Sequence, residues 1–469
     1  MRARVKVAKV LSDVFAPSMP IAFEAFDGSI AGPQDAVCRI VVRDPRALNY
    51  VATAPGDLGL ARAYVAGYVD VQGDLFAGMM MLAGDYVASL SWPERIRMLR
   101  QLGPGILRPV APPPEEARPG VRWGLRHSVK RDARAISHHY DVSNRFYELL
   151  LGPTMAYTCA VYPYDGASLE DAQIEKVDLV CRKLDLQPGQ RLLDVGCGWG
   201  TMVLHAAQHY GVRTLGVTLS RQQAEWGQKR IADLGLSSVA EIRHQDYRNV
   251  AETGFDAISS IGLTEHIGAK NLGWYVRFLA AKTRPQGRFL NHCITRSVTT
   301  EPAPVRGFIA RYIFPDGELD GVATVISAIQ DNGFEVRHEE NFREHYARTC
   351  AAWGANLDAH WDEAVEEVGE GKARAWRLYL AGSRLSFVQH RIELHQVLAV
   401  RTEGGVSGMP LERLDFSREP PASGRPTGVR RINSADPTKL VDHLDGDSAP
   451  ADLGQPQTVA RRGRLHVAE

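Results

Sequence analysis

The chain has 469 residues, of which 44% are hydrophobic and 23% are charged, a composition that excludes collagen, a coiled coil and wholesale disorder. Lysine plus arginine and aspartate plus glutamate number 55 each, so no net field attracts nucleic acid, and we expect no nucleic-acid partner. The six cysteines are scattered without a Cys-x-x-Cys pair, which indicates a reducing cytoplasm and neither a structural zinc site nor a disulfide framework.

Residues 1–103 are predicted to form a small α-rich N-terminal domain. A strand-like run at Cys38–Val42 is followed by an Asp44-Pro45 helix start signal and by apolar residues at helical spacing up to Tyr68. Residues 104–134 are predicted to be a linker, because their first half is rich in glycine and proline and cannot hold a regular element for long.

Basic residues recur every four positions in the second half of this linker, at Arg118, Arg122, Arg126, Lys130 and Arg134. Apolar residues lie between them, so a helix here is both basic and amphipathic. Such a helix can lie on anionic phospholipid, where each cation contributes about 1 kcal/mol. A solvated charged helix packed on the domain is the alternative, and the sequence leaves both open.

Residues 135–400 alternate β-rich runs with stretches of helix length. The β-rich runs are 191–195, 213–217, 240–243, 256–261 and 288–294. This alternation predicts an α/β fold with a doubly wound, mostly parallel sheet. Residues 401–469 are rich in glycine, proline, aspartate and arginine with few large apolar residues, and they are predicted to be a disordered tail.

The sharpest motif is DVGCGWG at 194–200, where a buried strand runs into a glycine-rich turn and a helix. Glycines permit positive φ angles and let a ligand approach the backbone at a helix N-terminus. The dinucleotide fingerprint requires a glycine at the position of Thr201, so this loop departs from it, and a tight turn without a ligand is the alternative. The wording resembles motif I of the class I S-adenosylmethionine-dependent methyltransferases, whose loop holds the amino-acid part of the cofactor.

Five further segments follow in the order of one family: HHYDVSNRFY (138–147), MAYTCA (155–160), IGLTEHIG (261–268), NHCI (291–294) and YIFPDG (312–317). Together with the glycine loop, they resemble the cyclopropane-fatty-acyl-phospholipid synthase family. That family includes mycolic-acid cyclopropane synthases and the actinobacterial enzymes of the 10-methylene, or tuberculostearic acid, pathway. The resemblance implies S-adenosylmethionine as the cofactor and bicarbonate as a bound base.

The resemblance also implies a set of site residues. The catalytic set is Glu265, His292, Tyr346, Cys159 and Ile294. The cofactor contacts are Tyr157, Thr158, Asp194, Gly196, Gly198, Gly200, Thr218, Leu219, Gln223, Asp246 and Tyr247. No residue is assigned to a metal. We expect Glu265 to be protonated or to accept the bicarbonate proton, because burial and a neighbouring anion both raise the pKa of a carboxyl group.

Several of these residues have simpler interpretations. A buried cysteine such as Cys159 most often acts as a small hydrophobic residue, and we do not propose it as a nucleophile. Ser220 and Gln223 form a capping-box pattern, so Gln223 marks a helix start, which is compatible with a cofactor contact. His266 is expected to be structural and to point away from its neighbour Glu265.

The implied reaction is transfer of a methyl or methylene unit to the double bond of an oleoyl-like phospholipid chain. Thr264 stands where many cyclopropane-forming members carry a bulky residue, so we expect a 10-methylene-branched product, with a cyclopropane as the alternative. A small-molecule C- or N-methyltransferase and a regulatory subunit with a dead site are the rival functions. The predicted location is cytoplasmic and peripheral to the inner face of the membrane. A homo-oligomer and a separate reductase for the methylene product are left open.

Overall fold

The computed structural model describes residues 6–15, 19–54, 56–82, 93, 96, 100–117, 143–299, 303–304, 307–314, 317–411 and 414–416. All of them belong to one compact unit that ends at Phe416. None of the helices in these ranges is both long enough and apolar enough to cross a bilayer.

The N-terminal region combines helices with a small sheet. Its helices are α1 (Val7–Phe15), α2 (Arg46–Thr53), α3 (Asp57–Val65) and α4 (Leu75–Leu82). Its strands are β1 (Ile21–Ala25), β2 (Ile30–Ala31), β3 (Cys38–Val42) and β4 (Val69–Gly73), in the order β2-β1-β3-β4. The predicted strand β3 is confirmed. The prediction of an α-rich domain did not include the other three strands, which are short and gain their partners only in the folded chain.

The main sheet has seven strands. They are β5 (Arg191–Val195), β6 (Arg213–Thr218), β7 (Ala240–His244), β8 (Phe255–Ile261), β9 (Thr283–Arg296), β12 (Glu335–Asn341) and β13 (Ile392–Val400). Strands β10 (Ala303–Pro304) and β11 (Glu318–Leu319) form a separate pair. The order is β12-β13-β9-β8-β5-β6-β7, and the five strands from β9 to β7 are mutually parallel. The predicted doubly wound, mostly parallel sheet is confirmed.

Helices cover both faces of this sheet. They are α5 (Asn144–Leu151), α6 (Leu169–Leu184), α7 (Thr201–Tyr210), α8 (Arg221–Asp233), α9 (Thr264–Ile267), α10 (Leu272–Lys282), α11 (Gly307–Tyr312), α12 (Val322–Gln330), α13 (Arg343–Ala359), α14 (Trp361–Val368) and α15 (Glu370–Val388). Side chains alternate along each strand, so Phe289 and Cys293 pack with α10 and α12, whereas Leu290 packs with α6 and α7. His292 and Ile294 therefore share the face of α6.

The first part of the predicted linker is built into the fold. Residues Pro104–Leu107 form a 3-10 turn, and two guanidinium nitrogens of Arg62, Nε and Nη2, donate to the buried Glu116 carboxylate over 2.6 and 2.7 Å. The backbone of Ala117 donates to the carbonyl of Arg311 over 2.8 Å, which joins this segment to α11. The basic residues from 118 to 134 lie outside the described residues.

The boundary of the predicted disordered tail at residue 401 is wrong. The carbonyl of Arg401 accepts a hydrogen bond from the backbone of Gln286 over 2.7 Å, and Met409 is buried against the helices beside the sheet. These contacts satisfy backbone groups and bury apolar surface, which composition alone did not reveal. Residues 417–469 lie outside the described residues.

Candidate active site

A cleft enclosing about 1060 Å³, including its open mouth, lies at the carboxyl ends of the parallel strands. The loops after four strands contribute to it: Gly196 and Gly198 after β5, Leu219 after β6, Tyr247 after β7 and Leu263 after β8. Open α/β sheets bind their ligands at this edge, because neighbouring loops diverge there and leave a crevice. The glycine loop therefore forms one wall of a ligand site.

The three glycines of the loop serve different purposes. All have positive φ angles, +77° at Gly196, +55° at Gly198 and +88° at Gly200. A Cβ atom at Gly196 would contact the side chain of Leu263 at 3.3 Å, and one at Gly200 would collide with Ile242 at 2.2 Å. A Cβ at Gly198 would meet no protein atom within 4 Å. Gly198 therefore leaves open the space that a ligand needs beside the loop.

The structure brings most of the predicted cofactor residues together on the walls of this cleft. They are Tyr157, Thr158, Asp194, Gly196, Gly198, Thr218, Leu219, Gln223 and Tyr247. Gly200 and Asp246 lie outside the lining. Gly200 caps helix α7 and packs on Ile242, and Asp246 accepts hydrogen bonds from the backbone and guanidinium of Arg248.

The Ser220-Gln223 pattern forms half of a capping box. Ser220 Oγ accepts from the backbone N–H of Gln223 over 3.3 Å, as predicted. The side chain of Gln223 does not return to Ser220, because its Oε1 accepts from the hydroxyl of Thr218 over 2.8 Å. The backbone of Ser220 donates to the same hydroxyl instead, so these three residues hold the end of β6 against the cleft.

Two charged residues of opposite sign are buried in the cleft wall. Asp194 accepts from the hydroxyl of Ser259 over 2.6 Å, and burial raises its pKa to about 6. Lys176 on α6 lines the same cleft, and burial lowers its pKa to about 8 although Asp194 opposes that shift. Sequence reasoning missed Lys176. Its signal was its place on the apolar stripe of α6, beside buried Val177 and Val180.

The predicted catalytic residues lie outside the lining of the cleft, and two of them, His292 and Ile294, share one face of β9. Glu265 is on the short helix α9, between the cleft-lining residues Leu263 and His266. The backbone N–H of Ile294 donates to Glu265 Oε1 over 2.7 Å, and Oε2 is buried without a partner. Burial raises the pKa of Glu265 to about 7, which agrees with the expectation of a protonated carboxyl group.

His292, like Glu265, has a buried side-chain atom without a partner. The residue is 1% exposed on β9, and its carbonyl accepts from the backbone of Gly262 over 2.8 Å. Nδ1 contacts Gln396 Nε2 at 3.2 Å, whereas Nε2 has no partner. Burial, together with the charges of Lys176 and Lys183, holds the pKa of His292 well below its usual range, so the imidazole is neutral.

Cys159 and Tyr346 belong to one hydrophobic cluster, against which Ile294 packs. Tyr346 on α13 stacks on Phe387 with ring centroids 4.5 Å apart, and burial raises the pKa of its phenol. The fully buried Cys159 thiol donates to the carbonyl of Ala160 over 3.2 Å, and burial raises its pKa well above the usual value. The thiol is therefore protonated and unreactive, as the sequence indicated.

His266 was expected to be structural, yet it lies in the cleft wall and packs against Phe314 with ring centroids 5.6 Å apart. Among the described residues, no group of histidine, cysteine and carboxylate side chains is arranged to hold a metal ion. The site is thus a cleft at the carboxyl edge of the sheet, and Glu265 and His292 outside its lining each keep one buried polar atom without a protein partner.

Residues 127–397 match the mycolic acid cyclopropane synthetase family. The chain belongs to this family. It is 51% identical over 426 residues to the probable fatty acid methyltransferase Rv3720 of Mycobacterium tuberculosis (strain H37Rv), covering 87% of this chain and 98% of that protein. It is 35% identical over 282 residues to the cyclopropane-fatty-acyl-phospholipid synthase of Escherichia coli K12, covering 60% of this chain and 72% of that protein.

A solved structure of mycolic acid cyclopropane synthase CmaA1 in complex with SAH and CTAB is 30% identical and has a TM-score of 0.52. The similarity covers 57% of this chain and 97% of that chain. Family membership confirms the resemblance drawn from the motifs and the class I methyltransferase fold. The protein is an S-adenosylmethionine-dependent methyltransferase, and its cleft fits that cofactor because Gly198 leaves the loop open to a ligand.

Proposed function

We propose that the protein transfers a methyl unit from S-adenosylmethionine to the double bond of an unsaturated acyl chain of a phospholipid, giving a 10-methylene-branched chain. The single observation that carries the mechanism is the pair of buried, unpartnered atoms His292 Nε2 and Glu265 Oε2 beside the cofactor cleft. The names of the relatives, fatty acid methyltransferase and cyclopropane-fatty-acyl-phospholipid synthase, support an acyl chain as the acceptor.

The two unpartnered atoms fit a small anion such as bicarbonate. A buried polar atom without a partner costs about 1–3 kcal/mol, so a site that keeps two of them favours a ligand that pairs with both. A neutral His292 offers an N–H donor, and Glu265 offers an O–H donor while it is protonated, below about pH 7, and in that state neither group repels an anion. The phenol of Tyr346, whose raised pKa keeps it protonated, would add a third donor.

The chemistry explains why such donors are useful. An alkene is a weak nucleophile, and methylation at one carbon leaves a cation on the other, which water would trap in an open site. When bound, S-adenosylmethionine supplies the electrophilic methyl group, and bicarbonate supplies the base that removes the final proton. Glu265, His292 and Tyr346 hold that base in place, while the aromatic cluster containing Cys159 and Tyr346 keeps the site dry.

The proposed product depends on the position of the base. The Thr264 hydroxyl donates to Asn291 Oδ1 over 2.6 Å, and Asn291 lies on the opposite face of β9 from His292. Thr264 therefore acts through the orientation of α9, which carries Glu265. A shift of the base away from the methyl hydrogens would delay proton loss and allow a hydride shift first, which gives the methylene branch. Direct proton loss gives a cyclopropane, the alternative product.

We propose that the substrate is presented at a membrane surface, on the inner face, and that a separate reductase adds a hydride and a proton if a methyl branch is the final product. The recurring basic residues from Arg118 to Arg134 support contact with anionic lipid. A homo-oligomer is compatible with this arrangement. A small-molecule methyltransferase would require neither lipid nor bicarbonate.

Expression in a host whose phospholipids contain oleoyl chains tests the proposed function. Mass spectrometry of the fatty acids should reveal a product heavier than oleate by one CH₂ unit, with fragmentation that places a methylene branch on the chain. A cyclopropane product would contradict the proposed methylene branch and support the alternative product. Unchanged fatty acids in the presence of folded protein would contradict acyl-chain methylation.

A further inference from the structure

Two buried polar side chains, Lys183 and Gln396, form a hydrogen-bonded chain that ends at His292 Nδ1. Strands β13 and β9 are antiparallel, and Gln396 lies directly opposite His292 in their register. Both side chains point to the face of α6, where Gln396 is fully buried. Gln396 Nε2 and His292 Nδ1 are 3.2 Å apart. Gln396 is therefore the hydrogen-bonding partner of the ring nitrogen that faces away from the unpartnered Nε2.

Lys183 decides which end of the Gln396 amide faces the imidazole. Its Nζ donates to Gln396 Oε1 over 2.8 Å and to Glu340 Oε2 over 2.6 Å. Lys183 is fully buried, and burial lowers its pKa from the usual value, while the hydrogen bond and charge of Glu340 oppose that shift and favour the ammonium form. An ammonium group has donors only, so it requires the amide oxygen as its neighbour. The NH₂ group of Gln396 is consequently turned to His292.

The amide orientation determines the tautomer of the imidazole. An NH₂ group can only donate to Nδ1, so Nδ1 must carry a lone pair and the ring proton must be on Nε2. Nε2 is the buried atom without a protein partner. The ring therefore carries its one N–H donor at the buried Nε2, which no protein atom accepts from.

We propose that Lys183 and Gln396 are positioning residues that fix His292 as the neutral Nε2–H tautomer, so that the imidazole donates one hydrogen bond to the bound anion. The presence of an anion in the site rests on the proposed function, whereas the tautomer of His292 is a property of the protein alone. Lys183 lies outside the residues that resemblance assigned to the site, and so does Gln396. Their effect on the reaction passes through His292.

The tautomer can be measured on the full-length protein without substrate or cofactor. Long-range proton–nitrogen correlation spectra of protein labelled with ¹⁵N-histidine distinguish the two neutral tautomers, and the signal lost in His292→Gln assigns the residue. We expect the Nε2–H pattern in the wild type. Gln396→Glu places an acceptor opposite Nδ1 and should move the proton from Nε2 to Nδ1. Glu340→Gln is the matched control, since its amide oxygen still accepts from Lys183 and should leave the tautomer unchanged.

Activity provides the second readout. Gln396→Glu should lower kcat about 100-fold or more, the usual result of losing one donor to a developing or bound anion, while cofactor affinity stays unchanged. Lys183→Met frees the amide to rotate, so it should give a mixture of tautomers and a smaller loss of kcat. An Nδ1–H pattern in the wild type would overturn the proposal. So would a normal kcat in Gln396→Glu with an inverted tautomer. If the tautomers behave as expected and no acyl chain is methylated by the wild type, the proposed function fails and the positioning role stands.

Discussion

The backbone N–H of Ile294 donates to Glu265 Oε1 over 2.7 Å, which ties the helix after β8 to the neighbouring strand β9. This bond occupies one carboxyl oxygen and leaves the other, Oε2, buried and available. Because His292 precedes Ile294 by two residues on the same face of β9, the bond also fixes the carboxyl group relative to the imidazole.

Gly198→Val should abolish cofactor binding. Its side chain would enter the open space beside the loop, where no protein atom lies within 4 Å of the added Cβ. Calorimetric titration with S-adenosylmethionine measures the effect. Gly254→Val is the matched control, because Gly254 also has a positive φ, +71°, and open surroundings, but it lies outside the cleft lining. Unchanged affinity in a folded Gly198→Val protein would remove the loop from the cofactor site.

Glu265→Gln and His292→Ala should each lower kcat about 100-fold or more with little change in cofactor affinity, because they act on the bound base and its environment. Bicarbonate added to carefully degassed wild-type enzyme should restore its activity. Steady-state kinetics at controlled bicarbonate concentrations test both points. Full activity of wild type without bicarbonate, together with normal kcat in both variants, would exclude the bicarbonate site.

The raised pKa of Glu265 should make the stability of the protein depend on pH. The carboxyl group has a pKa of 4.5 when unperturbed and about 7 in the fold, so between these values only the folded state keeps the proton. Stability therefore falls as pH rises from about 4.5 to about 7, by up to about 3 kcal/mol. Glu265→Gln lacks this loss. Denaturant titrations at pH 5 and pH 8 should show Glu265→Gln gaining stability relative to wild type at the higher pH, and parallel pH profiles would contradict this.

Arg62→Met should destabilise the N-terminal region by about 3–5 kcal/mol, because it leaves the carboxylate of Glu116 buried and unpaired. The Glu116 side chain is 2% exposed and receives two hydrogen bonds from the Arg62 guanidinium. The double variant Arg62→Met, Glu116→Gln should recover much of that loss. Thermal unfolding of the single and double variants measures the coupling. Equal melting temperatures for wild type and Arg62→Met would show that the pair contributes nothing.

Deuterium on the alkene carbon that receives the methyl group should report the fate of the cation. In a methylene-branched product the label should move to the adjacent carbon, because a hydride shift precedes proton loss. In a cyclopropane it should remain in place. Mass-spectral fragmentation of the product fatty acid locates the label, and an unmigrated label in a cyclopropane chain would leave methyl transfer intact while rejecting the proposed branch.

Local sequence determined much of the catalytic domain. The runs at 191–195 and 213–217 are buried strands because they are short, apolar and bounded by turn residues, and such patterns require no distant partner to be recognised. The glycine loop could also be predicted from the sequence, since its positive φ angles are a local property. The order of the motifs indicated the family and most of the residues that line the cleft. Gly200 and Asp246 are the exceptions, because Gly200 packs on Ile242 and Asp246 pairs with Arg248.

The tertiary structure decided what lies behind and around the site. Strand β13 pairs with β9 although the two are about 100 residues apart in the chain. Only this pairing places Gln396 opposite His292. Lys183 and Lys176 become buried because α6 packs on that face, although a lysine is almost never fully buried unless it is paired. Segments from 104 to 117 and from 401 to 411 are ordered by contacts with distant residues, although their composition resembles that of loops. Long-range partners of this kind satisfy polar groups and bury apolar surface, and local patterns do not encode them.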